Sequence, residues 1–135
     1  MIRNKVDYRE HLKEDEHAIR LQKAELLVRL SNPIWRYEHA VRHHEYYHNC
    51  CPQIGRKPFS VIAALRHSHL SLEYGISIPN NVLGMGLNIA HIGKIIVNSH
   101  ARVGDYCRLH ACTNIGSATG KSDTAPTIVD RVYIG

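Results

Sequence analysis

The sequence predicts an α+β fold, with helices in the first half and a coil of short parallel strands in the second. Three observations lead there. The first 72 residues hold one glycine, Gly55, and eight of the eleven histidines, as befits charged, amphipathic helices. Beyond Tyr74-Gly75 the helical period fails, and Gly, Ile, Val and Asn dominate. In that second part aliphatic residues recur every six positions, at Leu83 and Ile89, then at Val97, Val103, Leu109 and Ile115. The boundaries expected are a helical region 1–73 and a coil 74–135.

Tyr8, Leu12, Ile19, Leu26 and Leu30 recur at roughly helical spacing among Arg, Lys and Glu, which predicts one amphipathic helix closed by Ser31-Asn32-Pro33. Asn32 with Pro33 also suits the start of a second helix, as N-cap and first-turn residue. That helix runs through Ile34, Tyr37 and Val41 and ends by Cys51-Pro52. A third follows Pro58, through Phe59, Ile62 and Leu65 to about Leu72, with Gly75 placed to close it in the left-handed region.

In the second half, glycine follows the aliphatic position at Leu83-Gly84, Val103-Gly104, Ile115-Gly116 and Ile134-Gly135, and the residue two before it is small at Ala101, Cys107 and Thr113. One aliphatic and one small inward residue per hexad is what a coil of three flat sheets needs to bury a narrow interior, turn upon turn. A sandwich with variable loops does not hold a six-residue phase through successive units. The phase slips between Ile89 and Val97, around His91-Ile92-Gly93, and resumes at Ile128 and Ile134 after a polar insertion. The last residue, Gly135, is the glycine of a hexad, so about three turns are expected, and the coil looks C-terminally short.

Composition narrows the function. Apolar residues are 44% and charged residues 21%, ordinary for a folded protein, which argues against disorder. No apolar run approaches the ~20 residues of a membrane span, and the first residues carry no signal-peptide run, so a cytoplasmic protein without an integral membrane segment is expected. The net charge of +5 is interspersed, not clustered, which speaks against nucleic acid as a partner. Cys50, Cys51, Cys107 and Cys112 lack the spacing of a secreted disulfide framework and read as reduced thiols.

The run from Tyr74-Gly75-Ile-Ser77-Ile-Pro through Asn88-Ile-Ala-His91-Ile-Gly93, Asn98, Thr113-Asn-Ile-Gly116, the Gly120-Lys121 loop and Val132-Tyr-Ile-Gly135 resembles the serine acetyltransferase group of hexapeptide-repeat acyltransferases. It looks closest to the branch associated with O-acetylation of envelope polysaccharides. The resemblance implies a left-handed parallel β-helix, acetyl-CoA as co-substrate, a hydroxyl acceptor and a homotrimer with sites between adjacent coils. It also implies that His91 is the general base. An imidazole, which ordinarily titrates at ~6.5, suits removal of an alcohol proton near neutral pH. Where the serine enzymes carry an Asp, the best-matching position is Ser77, and where they carry an Arg-His-Pro segment this chain reads Thr124-Ala125-Pro126. Those neutral replacements favour a saccharide acceptor, with serine O-acetylation as the alternative. Asn98 is expected either to line the acceptor cleft or to hold a coil corner. Gly116, Ser117, Gly120 and Lys121 are expected near acetyl-CoA, by backbone amides and one cation.

Two other readings compete. His44-Glu45-Tyr46-Tyr47-His48 fits the pattern of a zinc hydrolase, two ligands on one helix face with a glutamate base. A helix this rich in histidine generates such patterns readily, no third ligand segment follows, and no metal is expected. A polar aromatic face with Trp35, Tyr37, Tyr46 and Tyr47, packing beside the coil or another subunit, is the simpler use of these residues. The third reading, suggested by the short coil, is a noncatalytic trimeric assembly module. His100 and His110 are expected to be structural or exposed.

Overall fold

The computed structural model describes residues 1–21, 23–50, 57–118 and 124–135. Among the described residues four helices, α1 (Lys5–Ala18), α2 (Leu26–Ser31), α3 (Pro33–Cys50) and α4 (Lys57–Tyr74), precede the strands. Asn4 caps α1 by accepting from the amides of Val6 (2.7 Å) and Asp7 (2.9 Å), and the Asp7 carboxylate reaches back to the Arg3 amide at 3.0 Å. The single helix expected from Tyr8 to Leu30 is in fact two. Arg20 takes φ +61° and stops α1, with the Leu21 amide turned back to the Glu16 carbonyl. The expected apolar stripe is not the packed face: Leu26 and Leu30 are exposed, and α1 buries His11 and Asp15 instead. Asn32 does open α3, its Oδ1 accepting from the Trp35 amide at 3.0 Å. Gly75, at φ +68°, closes α4 in the left-handed region.

The strands are β1 (Ile76–Ser77), β2 (Asn88–Ile89), β3 (Ile95–Val97), β4 (Arg102–Val103), β5 (Arg108–Leu109), β6 (Asn114–Ile115), β7 (Thr127–Ile128) and β8 (Tyr133–Ile134). All pair in parallel, in three ladders ordered β1-β3-β6, β2-β5-β8 and β4-β7, and Leu83 bridges to Val103 at the foot of the third. Each strand thus lies against one a full turn later, which makes the second half a three-sided coil. The six-residue phase is its inward face: Leu83, Ile89, Val97, Val103, Leu109 and Ile115 are buried, with Ala101, Cys107 and Thr113 buried beside them. The phase slip is carried by the bend at His91-Ile92-Gly93, whose first two side chains are exposed. Glycine at 84 is needed for close approach, since a Cβ there would stand 2.6 Å from the Gly104 carbonyl carbon one turn on.

A coil end leaves one row of peptide groups without a strand partner. Here the helices supply the partners. The amide of Asn81 donates to Glu45 Oε1 (2.7 Å), that of Leu87 to Asp15 Oδ1 (2.9 Å) and that of Ile89 to Glu38 Oε1 (3.1 Å). Arg42 donates to the carbonyls of Leu83 (3.2 Å) and Gly84, while its guanidinium also pairs with Asp15 (2.7 Å) and Glu45 (3.0 Å). The Tyr37 hydroxyl, whose pKa burial pushes up to about 12, donates to the Ile76 carbonyl at 3.3 Å. Tyr37, Ala40, Val41, Leu70 and Tyr74 join the coil interior in one apolar core.

Candidate functional site

His91 is exposed at the corner where β2 ends and the phase slips. The register places Ala90 against His110, through the amide of Ala90 and the Leu109 carbonyl (2.9 Å), and His110 against Gly135 in the next turn. The rings follow that stacking. His91 meets His110 edge-on with centroids 5.6 Å apart, His110 packs on Tyr133 at 4.7 Å, and the Arg108 guanidinium lies 5.9 Å from the Tyr133 centroid. His110 is therefore the neighbour of His91 and not a remote surface residue. Its Nε2 is buried with no hydrogen-bond partner among the described residues. The signal for this lay in register: His110 follows the inward Leu109 as Ala90 follows Ile89.

Beside this corner is a cavity of about 370 Å³ between the end of α1, the start of α3 and the β2-β5 ladder. Its size is that of a small-ligand site. Arg20, Asn32, Asn88, Ala90 and Arg108 contribute polar and small surface, with Ile34 and Ile89 as apolar wall, and no Asp or Glu lines it among the described residues. Asn88 ties the coil to α1 by donating from Nδ2 to the Ala18 carbonyl at 2.7 Å. None of Arg20, Asn32, Asn88 and Arg108 stood out in the sequence as a site residue, because they come from four separate segments.

The other expected residues are spread along the next sheet. Ser77 is exposed in β1 opposite Ile96. Asn98 follows β3, its amide donating to the Ile115 carbonyl (2.8 Å) while its Oδ1 accepts from the His100 amide (2.8 Å), so the side chain is engaged in holding a corner. Neither is hydrogen-bonded to His91 among the described residues. Gly116 and Ser117 are exposed after β6, and among the described residues, its two chain neighbours aside, a Cβ on Gly116 would come nearest to Asn114 Oδ1, at 3.7 Å. Gly120 and Lys121 lie outside the described residues.

The His44-Glu45-x-x-His48 segment is committed to packing. Glu45 is buried, with Arg42 on one carboxylate oxygen and the Asn81 amide on the other. His44 Nδ1 faces His67 Nδ1 at 3.0 Å, and burial, followed by the neighbouring His44, lowers the pKa of His67 to about 4. Among the described residues no group of three or more His, Cys, Asp or Glu is placed to hold a metal ion. The aromatic face of α3 is divided: Tyr37 is buried in the core, Tyr46 stacks on Tyr8 at 4.9 Å, and Trp35, His39, His43 and Tyr47 form a row of rings ending at Phe59. No described helix is long and apolar enough to cross a membrane.

No protein-family model and no curated protein matches the chain by sequence. Among solved structures it is similar to the serine acetyltransferase of Neisseria gonorrhoeae in complex with serine (21% identity, TM-score 0.66), covering 97% of this chain and 53% of that one. Soybean serine acetyltransferase complexed with serine matches at 21% identity and a TM-score of 0.68, over 97% and 54% of the two chains. Isoform 3 from Entamoeba histolytica, in complex with cysteine, matches at 24% identity and 0.67, over 96% and 46%. The chain thus spans about half the length of these structures, and what it shares with the serine acetyltransferases is their fold, helices leading into a coil of parallel strands.

Proposed function

We propose that the chain is an acetyl-CoA-dependent O-acetyltransferase whose general base is His91. The observation that carries the reading is the position of His91, exposed at a corner where the hexad phase slips and next in the chain to Ala90 on the wall of the cavity. The similarity of fold to serine acetyltransferases supports it. In this reaction the acceptor oxygen attacks the thioester carbonyl, the new C–O bond forms as the hydroxyl proton passes to the imidazole, and the C–S bond then breaks. The proton leaves with the thiolate as coenzyme A thiol. The imidazole needs no covalent intermediate for this. Gly116 and Ser117, with Gly120 and Lys121, are proposed to meet acetyl-CoA. Ser77 and Asn98 are proposed to line the acceptor side, where a homotrimer of left-handed coils brings a second subunit to the corner.

The acceptor proposed is a saccharide hydroxyl, since Ser77, Thr124 and Ala125 offer no charge to an amino acid. Serine is the second reading, favoured by the two serine-bound structures of like fold. Thiol release from acetyl-CoA with a panel of sugars and with L-serine separates them. His91→Ala should lower the rate ~10²- to 10⁴-fold and leave acetyl-CoA binding intact, while His44→Ala retains activity. Unchanged turnover in His91→Ala removes the proposal.

A further inference from the structure

We infer that the cavity between α1, α3 and the β2-β5 ladder binds an anion-bearing sugar, a hexose carrying a phosphate or carboxylate, through Arg20 and Arg108. This rests on the acyltransferase reading for its role, since it seats the anionic end of the acceptor on the other side of the His91 corner from Ser77 and Asn98, but its chemistry is argued from the lining alone. Arg20 and Arg108 line a space with no carboxylate on its wall among the described residues. Neither arginine has an ion-pair partner there; the described pairs of arginine use Arg29 and Arg42. Unpaired arginines around a concave site are suited to planar, doubly accepting anions.

The helix ends point the same way. The C-terminal carbonyls of α1, which would repel an anion, are already engaged: Asp15, His17 and Glu16 accept from the amides of Ile19, Arg20 and Leu21, and Ala18 accepts from Asn88. The first turn of the eighteen-residue α3 contributes Asn32 and Ile34 to the wall, and its positive dipole end adds to the two arginines. Arg108 also lies over Tyr133, which packs on His110 and so on His91, linking one anion contact to the proposed base through two rings. Free serine fits poorly, because no described residue on the wall carries a negative charge for its ammonium group.

Calorimetric titration of the full chain, without acetyl-CoA, with glucose 6-phosphate, glucuronate, glucose and L-serine tests this. The expected result is binding of at least one of the two anionic sugars ten-fold or more tighter than glucose or L-serine, weakened ten-fold or more by Arg20→Gln and by Arg108→Gln. Arg20 is exposed, so Arg20→Gln alone decides the matter if circular dichroism shows that Arg108→Gln is misfolded. Equal binding of glucose, tighter binding of L-serine, no binding of either anion, or anion binding that the variants leave unchanged overturns the inference. Tight anion binding with no thiol release from acetyl-CoA keeps the site and overturns the acyltransferase reading instead.

Discussion

Replacing Arg42 by Met should be the most destabilising change in the helical half. The guanidinium is 1% exposed and holds Asp15 and Glu45 at 2.7 and 3.0 Å, while donating to the carbonyls of Leu83 and Gly84. Methionine keeps most of the volume, so little of the loss is a cavity. What remains is two buried carboxylates without their cation and two carbonyls without a donor. Breaking a buried ion pair by removing one partner costs about 3 to 5 kcal/mol, a large share of the ~5 to 15 kcal/mol that stabilises a typical domain. Urea titration followed by circular dichroism at pH 7, at one fixed protein concentration, measures it. Asp15→Asn with Arg42→Met should lose less than the two single losses combined, since the partners share one network. A loss below about 1 kcal/mol in Arg42→Met would refute the argument that this network caps the coil.

Three further outcomes follow from particular contacts. Burial, and then the charge of Asp15, raise the pKa of Glu38 well above its ordinary value, so the folded chain holds that proton above pH 4.5 where the unfolded chain releases it; stability from this group is full below pH 4.5 and falls as pH rises, and Glu38→Gln, which can keep the bond to the Ile89 amide, should be the more stable protein in urea at pH 8. For His39 and His67 the sign is opposite: burial lowers both to about 4, so their contribution is full above about pH 6.5 and is lost toward pH 4, by at most roughly 3 kcal/mol each. His39→Phe, which preserves the ring row beside Trp35, should flatten that acid limb, and an unchanged slope in pH-dependent melts counts against it. Gly84→Ala places a methyl 2.6 Å from the Gly104 backbone and should cost on the order of 1 to 3 kcal/mol by thermal melting, with wild-type stability as the contrary result.

The coil was legible because its constraint is local and repeated: every sixth residue must fill the same narrow interior, so Leu83 through Ile115 announce the phase without reference to anything distant. The bend at His91 was legible as a break in that phase. The helical half was legible in outline but not in its buried face. Aliphatic spacing pointed to Leu26 and Leu30, yet α1 and α3 turn Asp15, Glu38, Arg42 and Glu45 inward. Charged residues normally read as a solvated face. Here they are buried because, besides pairing with one another, they meet peptide groups of the coil end, a demand visible only once that end is in place. Glu38, Arg42 and Glu45, spaced four and three apart on one face of α3, were the signal available in the sequence.

That cap also explains why the candidate site sits where it does. Asp15, one turn before the end of α1, is fixed to the Leu87 amide and to Arg42, and Ala18 is fixed to Asn88. The end of α1 is therefore held against β2 by two bonds before the chain turns at Arg20. Glu38 fixes α3 to Ile89, one residue from Ala90 and two from His91. The polar contacts that satisfy the open coil end thus place Arg20 and the start of α3 around the same corner that carries the proposed base. Loosening the cap should then act on the site before it unfolds the chain. Asp15→Asn, which keeps a carbonyl oxygen for the Leu87 amide but weakens the pair with Arg42, is expected to lower affinity for glucose 6-phosphate at temperatures where circular dichroism is still native. Native affinity up to the melting transition would show that the corner is held independently of the cap.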